Sequence, residues 1–291
     1  MELPLVVGVD GSESSLGAVD WAVDEAARHG VPLRLVYASL WERYEGEGFS
    51  HSVDRPAEQV LADNIVGTAA ERAHRRDPDV KVSTEVMPQE AVTALLTEGH
   101  NAFAVVTGSR GRGDLAGLLL GSVSLAVASR AHCPVIVVRG DDAALSGSHR
   151  RILLGVDEAA RGTSALDFAF REAQARRCTL DAVRAWRCPA HETTDHSLLT
   201  GDAAKFHEMR AATALDEALG KAVEDHPDVL VRRTTLEGPA RKVLLERSAA
   251  ADLLIVGAQR RQGHFVLQLG RIAHAALHHA ACPVAVVPQR V

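Results

Sequence analysis

The chain has 291 residues, of which 46% are hydrophobic and 24% are charged, which describes a globular chain large enough for one large domain or two of ordinary size. Its formal net charge of -6 and the lack of a basic run argue against nucleic acid as a partner. No apolar stretch approaches the roughly 20 residues needed to cross a bilayer, which excludes an integral membrane protein.

The cysteines indicate a reducing compartment. Four are present, and none forms a C-x-x-C pair: Cys133, Cys178, Cys188 and Cys282. The sequence opens directly on the apolar run ELPLVVGV, without a basic leader segment or a cleavage site. We therefore predict a cytoplasmic protein with reduced thiols.

The predicted elements alternate along the chain between short apolar runs and stretches of helical period. The runs of the first half are LVVGV, LRLVYA, VKVSTEV, FAVV and VIVV, and those of the second half are ILLGV, TLDAVRA, VLVRRTT, LLIV and VAVV. Runs that are apolar at every position are typical of strands covered on both faces in a parallel sheet. Apolar residues at spacings of three and four predict helices between them, as in Leu16, Val19, Val23 and Ala26 and again in Leu166, Ala169, Phe170 and Ala173.

The two halves are copies of one another. LPLVVGVDGSESSLGAVDWA at 3–22 returns as RILLGVDEAARGTSALDFAF at 151–170, and AHCPVIVV at 131–138 returns as AACPVAVV at 280–287. We predict an α/β protein of two tandem doubly wound domains, 1–141 and 150–291, each with a five-stranded parallel sheet and helices on both faces. The polar, Gly- and Ser-containing residues 142–149 are expected to be the linker.

A glycine-rich loop follows the fourth predicted strand, as TGSRGRGDLAGLLLGSVS at 107–124. Glycines at 108, 111 and 113 permit positive φ and let backbone N–H groups approach an anion, and Ser122 is a suitable N-cap for the next helix. Ligands of such sheets bind at the carboxyl ends of the strands, where Asp10 also lies. The pattern favours phosphate binding over the alternative of a flexible loop with solvated arginines.

Two better-known phosphate motifs do not account for this loop. The chain has no G-x-x-x-x-G-K-[ST], which excludes a P-loop NTPase. Gly111, Gly113 and Ala116 fit the permissive dinucleotide pattern, but they follow the fourth strand, and the segment leading to Ser122 is too long for that tight turn.

The motif Gly108-x-x-Gly111, nine residues, Gly121-Ser122 resembles the nucleotide signature of ATP-binding universal stress proteins. VGVDGSESS and HCPVIVV also resemble the first and last strands of that family, and the chain is similar to its tandem-domain, actinobacterial type. The resemblance implies strand order 3-2-1-4-5 and ATP, with or without Mg²⁺, held between strands one and four. It also implies a homodimer through the fifth-strand edges and a role in stress response or growth control.

The resemblance also implies a role for each site residue. Gly8 and Asp10 would flank the adenosine, with the Asp10 carboxylate on the base or ribose edge, and Ala38 would offer backbone groups to adenine. The loop residues would surround the triphosphate: Gly108, Ser109, Arg110, Gly111, Arg112 and Gly113. The start of the next helix would close the site: Gly121, Ser122, Val123 and Ser124. A turn or N-cap role is the alternative for Asp10.

The second copy departs from this motif. Gly257 and Gly270 keep their spacing, but Arg260 replaces Gly111 and Arg271 replaces Ser122. A side chain would then stand where the backbone should meet phosphate, so we predict weak or no ATP binding by the second domain. Asp157 matches Asp10, and the arginines at 260, 261 and 271 leave open another anionic ligand there.

His274 and His278 stand at i and i+4 near the chain end, which is the spacing of a metal-ligand pair. No third ligand at a fixed spacing accompanies them, so a helix-surface or dimer-contact role is favoured, and no metal site is predicted.

No catalytic residue is predicted. Phosphoryl transfer needs a positioned base and a lysine or a metal-binding carboxylate near the phosphates, whereas the loop offers arginines and Asp114. The sequence therefore favours a nucleotide-dependent regulator over an enzyme, at most with weak ATP hydrolysis. A slow ATPase and a nucleotide-free dimeric scaffold remain the alternatives.

Overall fold

A computed structural model describes residues 2–40, 57–111, 120–157, 164–188, 200–259 and 269–289. These residues divide into two compact units, one ending at Val138 and the other beginning at Arg139.

The first unit alternates strands and helices. Its elements are β1 (Leu5–Gly8), α1 (Glu13–His29), β2 (Leu33–Ala38), α2 (Ala57–Arg76), β3 (Val82–Met87), α3 (Ala91–Glu98), a 3₁₀ turn (Gly99–Asn101), β4 (Ala104–Gly108), α4 (Ser122–Arg130) and β5 (Val135–Val138). The strands lie in the order β3-β2-β1-β4-β5 and pair in parallel. Every residue of β4 is buried, because helices cover both faces of the sheet at its centre.

The second unit repeats this architecture after a one-turn helix within the expected linker. Its elements are α5 (Asp142–Leu145), β6 (Arg151–Gly155), α6 (Ser164–Arg176), β7 (Thr179–Trp186), α7 (Thr200–Asp225), β8 (Val231–Glu237), α8 (Ala240–Ser248), β9 (Leu253–Gln259), α9 (Arg271–His279) and β10 (Val284–Gln289). Its strands lie in the equivalent order β8-β7-β6-β9-β10, again parallel. The predicted fold class and the strand order 3-2-1-4-5 are confirmed.

Helix α1 shows how local sequence signals fix the elements next to the candidate site. Ser12 caps its start by accepting a hydrogen bond from Ser15 N at 3.2 Å, and Gly30 ends it in the left-handed conformation with φ of 66°. Its apolar stripe, which includes Val19, Val23 and Ala26, is buried. Because the Ser12 cap follows the end of β1 at Gly8 by four residues, the start of α1 lies next to Asp10.

Candidate functional site

A cavity of about 400 Å³ opens at the carboxyl edge of the first unit's sheet, beyond the ends of β1, β2 and β4. Such cavities are typical of small-molecule sites. Ten of the residues predicted for the nucleotide site line it: Gly8, Asp10, Ala38, Gly108, Arg110, Gly111, Gly121, Ser122, Val123 and Ser124. Ser109 is not among the lining residues that the structure describes, and Arg112 and Gly113 lie outside the described residues.

One end of this cavity is apolar, and sequence reasoning missed it. Five further residues form this end: Val9, Val36, Tyr37, Ala91 and Leu95. Leu95 approaches the floor closely, since a Cβ on Gly8 would lie 2.9 Å from its Cδ1. A side chain at Gly8 would require the Leu95 side chain to shift.

The backbone of Ala38 lies at this apolar end. Within the described residues, the β1–β2 ladder pairs Gly8 with Val36 and ends on a hydrogen bond from Val9 N to Val36 O at 2.9 Å. Alternate residues of a strand direct their backbone groups to opposite neighbours, so Ala38 directs its N–H and C=O to the same side as Val36. No β1 residue lies opposite Ala38 in the described register, and a planar heterocycle could use both groups.

Asp10 is held at the edge of the cavity by the first turn of α1. Its Oδ1 accepts a hydrogen bond from Ser12 N at 2.9 Å, and Ser15 Oγ donates to Ser12 O at 2.9 Å. This is the turn role that was the alternative for Asp10, and it fixes the carboxylate so that it also lines the cavity. The two interpretations of this residue are therefore compatible.

The glycine-rich loop is anchored by side chains from α1 and α4. Ser124 Oγ donates to Gly108 O at 2.8 Å, Arg110 N donates to Ser14 Oγ at 3.1 Å, and Gly121 N donates to Ser109 O at 2.8 Å. The last bond joins the two described parts of the loop, which lie on either side of residues 112–119.

Two of the loop glycines do not use the positive φ that was expected of them. Gly108 and Gly111 are not among the glycines with positive φ. Close approach explains Gly108, because a Cβ there would lie 2.6 Å from the backbone oxygen Ser14 O. A Cβ on Gly111 would lie 2.7 Å from Asp10 Oδ2, so a side chain there would displace that carboxylate or the loop.

The start of α4 offers uncapped backbone donors. Ser122 was expected as the N-cap, but the cap is Gly121, which makes no side-chain hydrogen bond, and Ser122 is the first helical residue. The first N–H groups of any helix have no intrahelical acceptor. Because glycine is the N-cap of α4, no capping side chain accepts a hydrogen bond from these groups either. A helix start of this kind favours an anion.

Thr107 adds a polar atom that sequence reasoning did not single out. It is 4% exposed, it lines the cavity, and its Oγ1 is buried without a hydrogen-bond partner among the described residues. An unpaired buried hydroxyl costs free energy unless a ligand or water satisfies it. The signal in the sequence is weak, because Thr107 lies within an otherwise apolar strand.

The corresponding edge of the second unit differs. Gly155 again lies against a leucine, since a Cβ on it would lie 2.8 Å from Leu244 Cδ1. Gly257, the counterpart of Gly108, lies against the side-chain amide of Gln289 instead of a serine. Arg271 is the first residue of α9 after an N-cap glycine, and Asp157 is exposed. Arg260 and Arg261 lie outside the described residues.

The histidine pair on α9 and the two matched cysteines are not among the described residues that line this cavity. The rings of His274 and His278 stack with centroids 4.5 Å apart on α9, and burial, assisted by His274, His279 and Arg139, lowers the pKa of His278. Cys133 and Cys282 are free and buried. Within the described part of the chain, no helix is long and apolar enough to span a membrane.

The residues of the first cavity fit an adenine nucleotide. The apolar end suits a base, the Asp10 carboxylate accepts hydrogen bonds such as ribose hydroxyls donate, and the opposite end offers backbone N–H groups, serine hydroxyls and Arg110. The backbone N–H groups, the Ser122 hydroxyl and the Arg110 guanidinium can each donate a hydrogen bond, which is what a phosphate chain requires.

Comparison with known proteins places the chain in a family. The model of the universal stress protein family matches residues 3–139 and again 148–288. The universal stress protein Rv2005c of Mycobacterium tuberculosis is 33% identical over 304 residues, covering 98% of this chain and 97% of the relative. Rv2623 of the same organism is 29% identical over 299 residues, covering 98% and 96%.

The fold agrees with a solved structure. The crystal structure of a universal stress protein from Archaeoglobus fulgidus matches with a TM-score of 0.64 at 17% identity, covering 98% of both chains. Two family matches, a relative covered over nearly its whole length and a shared fold lead to one conclusion: the chain belongs to the universal stress protein family and carries two of its domains.

Proposed function

We propose that the first unit binds ATP, with or without Mg²⁺, and that its occupancy regulates a stress or growth response. The observation that carries this proposal is one cavity lined both by apolar side chains and by hydrogen-bond donors, with the Asp10 carboxylate at its edge. Adenine would lie beside Ala38, the ribose hydroxyls would donate to Asp10, and the phosphates would bind the Gly108–Gly111 backbone and the start of α4.

Regulation is favoured over catalysis by the composition of the site. Among the described lining residues there is no lysine, and the one carboxylate, Asp10, already accepts a hydrogen bond from Ser12 N. Phosphoryl transfer needs a positioned base together with metal or lysine charge at the phosphates. Ligand at 100-fold above its dissociation constant stabilises a folded state by about 2.7 kcal/mol, which is ample for a conformational readout.

The second unit is proposed to bind ATP weakly or not at all. The family motif loses Gly111 and Ser122 there, and the side chain of Gln289 lies over Gly257. A homodimer through the fifth-strand edges and a cytoplasmic location are parts of the same proposal. Sedimentation analysis of the purified chain tests the dimer.

The deciding experiment is mass spectrometry of the nucleotide released on denaturing the purified protein, quantified per chain. A single adenine nucleotide per chain is expected, falling to none in Gly111→Arg, which imitates the second copy. Two per chain would contradict the degenerate second site. Absence of nucleotide together with a flat thermal-shift titration with ATP and Mg²⁺ would favour the scaffold alternative.

The ATPase alternative has its own test. Phosphate release that continues over many turnovers and is lost in Asp10→Asn, with ATP binding retained, would establish hydrolysis. We expect no release above the level measured with Gly111→Arg.

A further inference from the structure

Exposed apolar side chains are concentrated on two helices, one in each unit. Six large apolar side chains are exposed among the described residues, and four of them lie on α2 and α7. Phe206 is 59% and Met209 is 66% exposed, and we call this pair the α7 face. Val60 and Leu61, the α2 face, are 42% and 44% exposed. Single exposed apolar residues are normal on a protein surface, whereas contiguous ones are typical of an interaction site.

The two faces occupy equivalent positions on a duplicated helix. The segments DPD at 77–79 and HPD at 226–228 align α2 with α7. The buried positions then match, with Ala62, Val66 and Ala69 of α2 against Ala211, Leu215 and Ala218 of α7. In this alignment Val60 corresponds to Met209 and Ala57 to Phe206, and residues three apart share a helix face. The outward face of a surface helix is normally polar, yet both copies keep apolar residues there.

Cations flank the α7 face. Lys205 lies four residues before Met209 and Arg210 four residues after Phe206, so each is only about 40° from an apolar residue around the helix axis. Both cations are exposed, and neither has an ion-pair partner among the described residues. Glu208 lies farther round the helix, about 100° from Met209 on the side away from Phe206.

The α2 face has an acidic neighbour instead. Glu58 lies three residues before Leu61, about 60° from it, and is exposed without an ion-pair partner in the part of the chain that the structure describes. The two halves differ in the same sense, since residues 1–141 contain 20 acidic and 12 basic residues, whereas residues 142–291 contain 18 acidic and 20 basic ones. The first half of one molecule is therefore attracted to the second half of another.

We propose that the α2 face of one copy of this chain packs against the α7 face of a second copy. Val60 and Leu61 would cover Phe206 and Met209, and Glu58 would approach the cations beside them. The partner is a second copy because the chain itself carries two apolar faces of similar size with opposite neighbouring charge. The proposal does not depend on nucleotide binding by the first unit.

Other pairings of the same faces are electrostatically less favourable. Packing α7 against α7 would bring Lys205 and Arg210 of both copies together, and packing α2 against α2 would do the same for Glu58. Each face presents only two large apolar side chains, so the contact is smaller than a standard interface of roughly 1,600 Å². We therefore expect a weak association that depends on protein concentration.

Sedimentation velocity of the full chain from about 5 to about 200 µM tests the proposal, and the weight-average sedimentation coefficient should rise over this range. The α7 variant, Phe206→Gln with Met209→Gln, and the α2 variant, Val60→Gln with Leu61→Gln, should each lose that rise. Glutamine suits an exposed helix position, so both variants should fold. A dimer through the fifth-strand edges would persist in both, because neither variant changes those strands.

The matched control is Leu230→Gln. Leu230 is 71% exposed in the second unit and lies outside both faces, so its replacement removes an apolar side chain of similar exposure. This variant should associate as the wild type does.

An equimolar mixture of the α2 and α7 variants distinguishes the proposed contact from a symmetric one. In the mixture, the intact α7 face of one variant can meet the intact α2 face of the other, so the concentration dependence should return in part. A contact of α7 with α7 would instead let the α2 variant associate on its own, and mixing would add nothing.

Charge reversal tests the electrostatic part. Lys205→Glu should weaken the association about fivefold, because an attraction to Glu58 becomes a repulsion. Adding Glu58→Lys to the same chain should restore it, since the pair is then opposite in charge again. Both effects should decrease in 0.5 M NaCl as the charges are screened.

Three results would overturn the proposal. They are a sedimentation coefficient of the wild type that does not change with concentration, association retained in both glutamine variants, and a loss in Leu230→Gln equal to theirs. Circular dichroism establishes that each variant is folded before its sedimentation is compared.

Discussion

Thr107 is a side chain at which the proposed nucleotide binding and the stability of the fold make opposite demands. Its Oγ1 is buried at the first unit's cavity and has no hydrogen-bond partner among the described residues. It therefore lowers the stability of the unliganded protein, and a ligand that hydrogen-bonds to it would offset that loss.

Replacing Thr107 by valine should separate these two effects. We expect Thr107→Val to raise the free energy of unfolding of the nucleotide-free protein by about 1 kcal/mol, because an unpaired buried hydroxyl is removed without changing the shape of the side chain. The Kd for ATP should rise roughly tenfold. Urea denaturation and calorimetry measure the two quantities, and Thr107→Ser is the control that keeps the hydroxyl. Lower stability with unchanged affinity would show that Thr107 has only a structural role.

Gly111 tests the close approach of the loop to Asp10. A Cβ there would lie 2.7 Å from Asp10 Oδ2, so Gly111→Ala must displace either the loop or the carboxylate, and we expect the Kd for ATP to rise at least about tenfold. Gly67→Ala is the control, because Gly67 lies in α2 with open space around it. That change should leave the Kd unaltered and stabilise the fold by about 1 kcal/mol. Equal affinities of both variants would exclude a binding role for the Gly111 backbone.

At the scale of elements, the sequence predicted what depends on local pattern. The continuous apolar runs became parallel strands. The spacing of Leu16, Val19, Val23 and Ala26 predicted the inner face of α1, on which Leu16 is half-buried and the other three are buried. The apolar end of the cavity could not be predicted, because Leu95 and Ala91 reach it from a helix that follows β3, and periodicity does not show which strand end a helix meets. Gly121 took the N-cap position from Ser122 because the loop closes one residue earlier, through Gly121 N and Ser109 O.

Helices α1 and α2 are joined by two parallel ion pairs. Arg72 binds Asp20 through Nε and Nη2 at 2.8 and 2.6 Å, and Arg76 binds Asp24 through the same atoms at 2.6 and 2.7 Å. These carboxylates raise the pKa values of both arginines, chiefly through the hydrogen bonds. The pairs connect the two helices at two positions, four residues apart on each.

A double-mutant cycle of Asp20→Asn and Arg72→Gln measures the strength of one pair. Because both side chains are partly exposed, we expect a coupling free energy of at most about 1 kcal/mol, decreasing in 1 M NaCl as charges are screened. The exposed pair Lys242 and Glu246, whose atoms are 3.7 Å apart, is the comparison and should give a smaller coupling of about 0.3 kcal/mol. A coupling at Asp20 and Arg72 that is zero at low salt would show that the bidentate geometry does not persist in solution.

At the scale of the whole molecule, duplication placed a buried thiol before the last strand of each unit. Burial raises the pKa of Cys133 from 9.0 to about 11 and that of Cys282 from 9.0 to about 12. The folded chain therefore keeps these protons to a higher pH than the unfolded chain does. The stability that they contribute is complete below pH 9 and is lost as the pH rises above it.

Unfolding by urea between pH 7.5 and 10.5 tests this dependence. The wild type should lose more stability over this range than Cys133→Ala or Cys282→Ala, by about 1 kcal/mol per thiol at pH 10. Val135→Ala removes buried volume without a thiol, and its profile should keep the wild-type slope. Parallel profiles for all four proteins would mean that the thiols do not titrate with folding.

The hydrogen bond from Arg110 N to Ser14 Oγ has a consequence for the order of folding events. It joins residues 96 positions apart, so the loop takes its anchored shape only after β1 and β4 have come together. A chain in which these strands have not met lacks the anchored loop, and contacts that form only after the rate-limiting barrier slow unfolding without speeding folding. A nucleotide bound to this loop would therefore lower the unfolding rate of the native chain and leave its folding rate unchanged.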